Sequence, residues 1–582
     1  MFRRLVIFAL SLLLLILPRL TPAQRFTSEA PRDEKLSPAI EKKALALLET
    51  ISEQVPNLHS PVNRVRAEGM IADLLWTRDE KRARALFKTA GDELVSITSN
   101  LDFSEPDVYQ QFTSLGQQRT ELFTRLAAHD PEAALAFLHA TSLTVAGDSR
   151  GKWYAEMETN LEMQLAGTIA KHSPARALEL ARAGLKAGVS YGMISLLNQL
   201  QEKDPASAQT LYKEMVDQIK REDLTRNYNH AEVAWNLLQF QPPQVNEDVY
   251  KDLIGTMIDA TLTITPTDQN SINTAQNAYN QLQSAMSQIE KYAPARAAAL
   301  REWSQNAERT FDPSTRMYQE ISRVAQEGSV EDLLALAPRY PAELQFQVYS
   351  QAAWKAQANG DVNRARQIIT DLISDPAQRH QMLAQIDNQS LESAISQSKI
   401  ADARQMLSGM KPVDRRVSVL IRLANTLAAK GDQKAALELL AEAKAAADEA
   451  PQGLSQMSSQ LQLVQGYAAL DPEQSFAIMQ KLVVRTNELS AAAATLDGFD
   501  TRYLKDNEWI TPSNTALGSL ITNLTQTFVT LSQIDFDRAR SLADRIERPE
   551  LRLAASLLIA RAALSGQTMI LPMERRIFVR EG

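Results

Sequence analysis

Apolar and polar positions alternate with helical period along most of the chain. The stretch Arg416 to Pro451 shows it most clearly. Val417, Leu420, Ile421, Ala424, Leu427 and Ala428 fall at i, i+3, i+4, i+7, i+10 and i+11, one apolar face of an amphipathic helix. Ala436, Leu439, Leu440, Ala443 and Ala447 form a second such face after Lys430-Gly431-Asp432. The two stripes predict an antiparallel helix hairpin. Gly431 closes the first helix in the left-handed conformation, and the Asp432 side chain accepts from free amides of the second. Pro451 ends the second helix, having no amide donor and clashing with the turn before it.

The same punctuation recurs. Asp79, Asp361 and Asp535 each open the pattern Asp-x-x-Arg-Ala-Arg, and Asp130-Pro131, Ser173-Pro174, Asp204-Pro205 and Asp471-Pro472 place proline at the first helical position. Four residues after each cap stands a small residue: Ala83, Ala134, Ala177, Ala208, Ala365, Ala436, Ser475 or Ala539. A small side chain there lets the preceding helix come close, so these positions are expected in the helix–helix contact. Taking helix openings at 79, 130, 173, 204, 293, 329, 361, 398, 432, 471 and 535, most successive gaps lie between 31 and 43 residues, the length of a two-helix repeat. The gap after Asp204 leaves room for a degenerate unit near Asn246. Thr261 to Asn273 reads as an exposed loop, and Asp497 to Ser513, with Phe499, Tyr503 and Trp509, as an aromatic-rich loop inserted between helices.

On Ala424, Leu427, Gly431, Ala436, Leu440 and Ala443 the chain resembles tetratricopeptide repeats, and Tyr349, Ala353, Gly360-Asp361, Ala365, Ile369 and Leu372 form a second copy. With Ala72 to Trp76 and Arg78-Asp79-Glu80 it also resembles exported bacterial helical-repeat proteins of uncharacterised role. The expected fold is all-α, a right-handed α-solenoid of about ten to twelve antiparallel hairpins. Its expected divisions are a signal peptide at 1–23, a flexible segment at 24–37, repeat halves at 38–320 and 321–568, and a non-helical tail at 569–582.

Composition refines the function class. Arg3-Arg4, the apolar run Leu5 to Leu17 and the small exit Thr21-Pro22-Ala23 form a secretory leader, the run being shorter than the ~20 apolar residues of a spanning helix. An uncleaved inner-membrane anchor is the alternative; with the leader removed no membrane span is expected. There is no cysteine among the 582 residues, which excludes disulfides, thiol catalysis and thiolate metal sites. The net charge is −8, and losing Arg3, Arg4 and Arg19 with the leader makes it −11, against nucleic acid as a partner.

Chemistry-bearing motifs are sparse. The six histidines include no His-x-x-x-His pair, and His129 and His172 stand near helix C-termini, where a ring complements the dipole. Gly147 to Trp153 lacks the length and the hydroxyl of a phosphate-binding loop. Glu158 and Glu162, beside Glu156, fit a solvated helix face, and Glu392-Ser393 lacks a glycine-rich continuation. No catalytic, cofactor or metal residue is assigned. Arg82, Arg364 and Arg538 oppose the dipole of the helix they open, so ion pairs with neighbouring acids are expected, a ligand-facing ladder being the alternative. The reading is an exported, non-enzymatic, cofactor-free scaffold that binds protein or peptide along a concave face, periplasmic or extracellular. A cell-wall glycan-acting enzyme on a helical frame is the competing class.

Overall fold

A computed structural model describes residues 38–101, 108–142, 149–226, 228–311, 313–396, 399–407, 413–499, 502–509 and 515–565. The leader, the segment 24–37 and the tail 569–582 lie outside these residues. The described chain is an all-α solenoid. Its first helices are α1 (Pro38–Gln54), α2 (Pro61–Leu75), α3 (Glu80–Ser99), α4 (Val108–His129), α5 (Pro131–Ala140), α6 (Ser149–Ala170), α7 (Pro174–Leu185), α8 (Tyr191–Lys203) and α9 (Pro205–Ile219). There follow α10 (Tyr228–Leu237), α11 (Glu247–Thr263), α12 (Gln269–Tyr292), α13 (Pro294–Thr310), α14 (Pro313–Glu327), α15 (Val330–Leu336), α16 (Ala342–Ala358) and α17 (Val362–Leu372). The last are α18 (Pro376–Ser396), α19 (Ile400–Leu407), α20 (Val413–Ala429), α21 (Gln433–Glu449), α22 (Leu454–Tyr467), α23 (Pro472–Leu496), α24 (Ala516–Ile534), α25 (Phe536–Ala543) and α26 (Pro549–Leu564).

The expected punctuation is built as written. Asp79, Asp130, Asp204, Asp361, Asp432, Asp471 and Asp535 each accept a hydrogen bond from a first-turn amide. Gly360 and Gly431 have φ of +86° and +89°, and the amides of Asp361 and Asp432 close back onto Ala356 and Leu427. All eight small residues after the caps are fully buried. Ser475 shows why: its hydroxyl donates to the Val464 carbonyl on the preceding helix, a contact no larger side chain would permit.

Two segments differ from expectation. The loop after α11 is shorter than Thr261 to Asn273, because Asp268 accepts from the Ser271 amide and starts α12 at Gln269. The insertion after α23 is not only loop: Leu504–Lys505 (β1) and Glu508–Trp509 (β2) pair as an antiparallel hairpin. Asp506 and Asn507 turn it with φ of 52° and 61°, a conformation their short polar side chains tolerate.

Helix α1 is not a free end of the stack. It packs against α26, and α2 touches α26 as well. The first and last helices therefore form one hairpin, seated between α24–α25 and α2–α3. From this seam six hairpins run in chain order to α12–α13, and six run backwards to α14–α15. The two arms meet where α13 passes into α14 through residue 312, a joint with little helix–helix contact. The solenoid is thus closed into a ring, covalently at one joint and by packing at the seam.

The main core runs unbroken across the seam, from Leu391 to Leu564 and on from Ala44 to Leu300. A second core spans Ile321 to Ile386, and a third holds Ala275, Ala307 and Phe311 beside the covalent joint. The β-hairpin clasps the seam. Glu508, 5% exposed, accepts from the amides of His59 (2.7 Å) and Ser60 (3.1 Å) and from Asn63 Nδ2 (3.1 Å), capping α2 from far along the chain. The Trp509 amide donates to Glu550 on α26 at 3.1 Å, and Lys505 donates to Gln111 on α4 at 2.8 Å.

Candidate interaction surface

The hairpins form two rows of helices with different surface chemistry. The first helices of successive hairpins pack closely on one another, as α6 does on α8, α20 on α22 and α22 on α24. Their partners are held further apart there, whereas between α8 and α13 it is the second helices that touch, α9 with α11 and α11 with α13, and α10 stands off from α12. In a curved stack the closely spaced row lies on the inside of the bend, so the even-numbered helices form the inner row from α2 to α8 and from α18 to α24; α10 to α16 are counted with it by their place as first helices of their hairpins.

Outer helices are joined by ion pairs, junction after junction. Starting on α23, the series runs Glu473–Arg538 (2.5 Å), Asp537–Lys43, Glu49–Arg82 (2.6 Å), Arg84–Asp130 (2.6 Å) and Glu132–Arg176 (3.0 Å). It continues through Arg182–Glu214 (2.7 Å), Lys220–Asp252 (2.7 Å) and Asp259–Arg296 to α13, crossing the seam without interruption. Arg364 pairs likewise with Glu331 at 2.8 Å. Arg82, Arg364 and Arg538 are therefore committed to neighbouring hairpins, as expected, and are not a ladder facing a ligand. Long side chains suit this duty because they bridge helices that curvature keeps apart.

The inner row is different. Helices α22 and α24 contain no charged residue, and α8 and α12 carry charge only in their last turns. Their exposed positions include many amides, such as Asn198 on α8, Asn280 and Gln283 on α12, Gln465 on α22, and Asn523 and Gln526 on α24. Other helices of this row, α4, α6, α14, α18 and α20 among them, do carry charge, and several of these charges are paired. Fully buried Arg119 on α4 donates to both oxygens of Glu158 (2.5 and 2.8 Å), to Thr141 Oγ1 and to the Leu138 carbonyl. Glu158 thus serves a buried guanidinium and not a solvated face, a correction that helical spacing could not supply. Glu162 lies 3.0 Å from His139, Arg125 3.3 Å from Asp73, and Glu392 bonds Arg422; the side chain of Glu156 is not among those described.

His129, in the last turn of α4, is 2.8 Å from Asp73 and stacks on Trp76 at 5.0 Å; Arg84 covers the indole at 4.7 Å. The dipole reading of His129 therefore omits its main partners. Gly151, Lys152 and Trp153 lie within α6, where the backbone is helical and forms no phosphate cradle. Among the described residues no three His, Asp or Glu side chains converge as metal ligands, and no helix is long and apolar enough to cross a membrane. On α2, burial, with Glu93 adding repulsion, pushes Glu68 up to about 7 against the opposing pull of Arg64.

Two depressions stand out near the middle of the first arm. One, of about 800 Å³, lies by Pro242, Pro243, Asn246, Glu247, Lys251, Lys291 and Tyr292. Its charges are already engaged, Glu247 with Lys251 at 2.6 Å and Lys291 over the Tyr292 ring at 4.7 Å. The other, of about 170 Å³, is a groove between α10 and α12 lined by Trp235, Leu238, Gln239, Gln241, Gln281, Ser284, Ala285 and Gln288. No formal charge borders it. Sequence reading passed over these glutamines because amides scattered among helices form no motif.

No protein-family model matches the chain, and no curated protein does. Among solved structures it is similar to a circular tandem repeat protein with a novel repeat topology (12% identity, 90% of this chain and 98% of that one, TM-score 0.16). It is also similar to a chain of the APC/C hetero-tetramer Cut9-Hcn1 (11% identity, 88% and 94%, TM-score 0.16) and to one of Naa15/Naa10 bound to HypK-THB (11% identity, 89% and 96%, TM-score 0.20). At these scores the similarity does not extend to a shared overall arrangement.

Proposed function

We propose that the protein is a non-enzymatic scaffold that binds a protein or peptide partner along the inner row of its helices. The observation that carries this reading is the division of labour between the rows. Outer charged side chains join successive hairpins, whereas α8, α12, α22 and α24 present neutral, exposed amides such as Asn198, Asn280, Gln283, Gln465, Asn523 and Gln526. A long face of small, dispersed contacts suits a polypeptide partner. The same proposal sets this scaffold in the periplasm or outside the cell, and the leader expected at 1–23 is what supports it.

A photo-crosslinking amino acid at Asn280 or Gln526, compared with one at Lys88 or Glu438 on the outer row, tests the surface in the native cell. A discrete protein adduct from the inner positions alone is expected. Adducts from the outer positions alone would remove the inner row as the binding face. N-terminal sequencing of the mature protein tests export, the expected start being Gln24.

A further inference from the structure

We propose that the groove between α10 and α12 holds an uncharged, extended peptide segment, read through its main chain; this rests on the scaffold reading above and names the kind of segment it takes. Three observations lead there. The first is charge. An acidic or basic segment entering the groove would lose hydration and meet no counter-charge, so neutral ligands are favoured.

The second is the supply of unused hydrogen-bonding groups. The side-chain amides of Gln239, Gln241 and Gln281 make no bond to protein, and each offers both a donor and an acceptor. That is the complement of an extended backbone, which presents N–H and C=O groups alternately and needs both satisfied when it leaves water.

The third is shape. Half-buried Trp235 forms an apolar wall, and its indole N–H is likewise unbonded. A volume of about 170 Å³ is the space of roughly five or six waters, enough for one side chain and not for a folded element. The fit is therefore one anchoring apolar or proline side chain against Trp235, with the flanking backbone running over the glutamines.

The test uses the purified full chain and four fluorescein-labelled probes: an uncharged ten-residue peptide of Ser, Thr, Val and Pro, an acidic peptide, a basic peptide, and a chitin hexasaccharide. Fluorescence anisotropy is expected to show binding of the uncharged peptide, with affinity changing less than about twofold between 50 and 500 mM salt, since no counterions are released. Gln239→Ala with Gln281→Ala should weaken it at least fivefold while leaving the circular dichroism spectrum unchanged, and Trp235→Ala should weaken it further. Because Trp235 also touches the core, the glutamine variant is the deciding one. Equal affinity in that variant, or salt-sensitive preference for a charged peptide, overturns the groove assignment and leaves the scaffold reading standing. Binding of the hexasaccharide but of no peptide overturns both.

Discussion

Half-buried Glu68 and buried Glu508 are two carboxylates whose environments act in opposite directions. Burial and the nearby Glu93 hold Glu68 protonated up to about 7, so between the ordinary glutamate range and that value the folded chain binds more protons than the unfolded one. Stability from this site falls as pH rises through that window. Glu68→Gln cannot ionise, so it should be at least as stable as the parent at pH 8, with the difference gone by pH 5; urea denaturation at the two values measures it. A variant weaker than the parent at pH 8 would mean that the Glu68 carboxylate is stabilised in the fold. For Glu508, burial raises the pKa, but hydrogen bonds from His59, Asn63 and Ser60 outweigh it and the net direction is down. Its contribution is present above the usual carboxylate range and is lost as pH falls through the depressed value. Glu508→Ala should cost about 2–3 kcal/mol at neutral pH, because buried amides of the α2 N-terminus lose a charged acceptor, and less in acid.

At the scale of the element, a hairpin depends on closeness more than on charge. The alanine one turn after each cap is fully buried, so Ala436→Leu forces α20 and α21 apart and should cost about 1–3 kcal/mol. Arg538→Ala removes a pair whose side chains are 40% and 78% exposed, and its loss should stay within about 1 kcal/mol. Denaturation midpoints of the two variants, at unchanged cooperativity, compare these effects directly. A larger loss from Arg538→Ala would mean that the outer ion pairs, and not the packing, hold the repeats together. The caps, the left-handed glycines and the buried small residues were all legible in the sequence, because each is a local requirement set within one or two turns. The start of α12 and the β-hairpin were less so, since Asp268 and Asp506-Asn507 look like ordinary loop residues until their bonds are seen.

For the whole molecule, closure is the property with the largest consequence. Helix α1 buries Ala44, Leu47, Leu48 and Ile51 at the seam, so deleting 38–54 strips one side of α26 and should cost on the order of 5 kcal/mol. A circular permutant behaves differently. Joining residue 565 to residue 38 through a flexible linker, with new ends at 312, makes the seam covalent and cuts the chain where α13 and α14 barely touch. It should keep the helical content of the parent and melt within a few degrees of it, as calorimetry would read. Collapse of the permutant together with tolerance of the deletion would show that the seam does not close the ring.

Helical period, caps and spacing determined that this chain is a stack of hairpins, because amphipathic stripes and turn chemistry act over a few residues and are written in order. The partners of Arg82, Arg364 and Arg538 were likewise foreseeable in kind, since a cation in a first turn requires an acid nearby. Only the tertiary structure decided that α1 and α26 make one unit, that Glu508 caps a helix more than four hundred residues away, and that Trp235 and a set of neutral glutamines come to border one groove between α10 and α12. Those facts arise from contacts between distant segments, and a stack whose ends meet leaves no periodic trace in the chain that builds it.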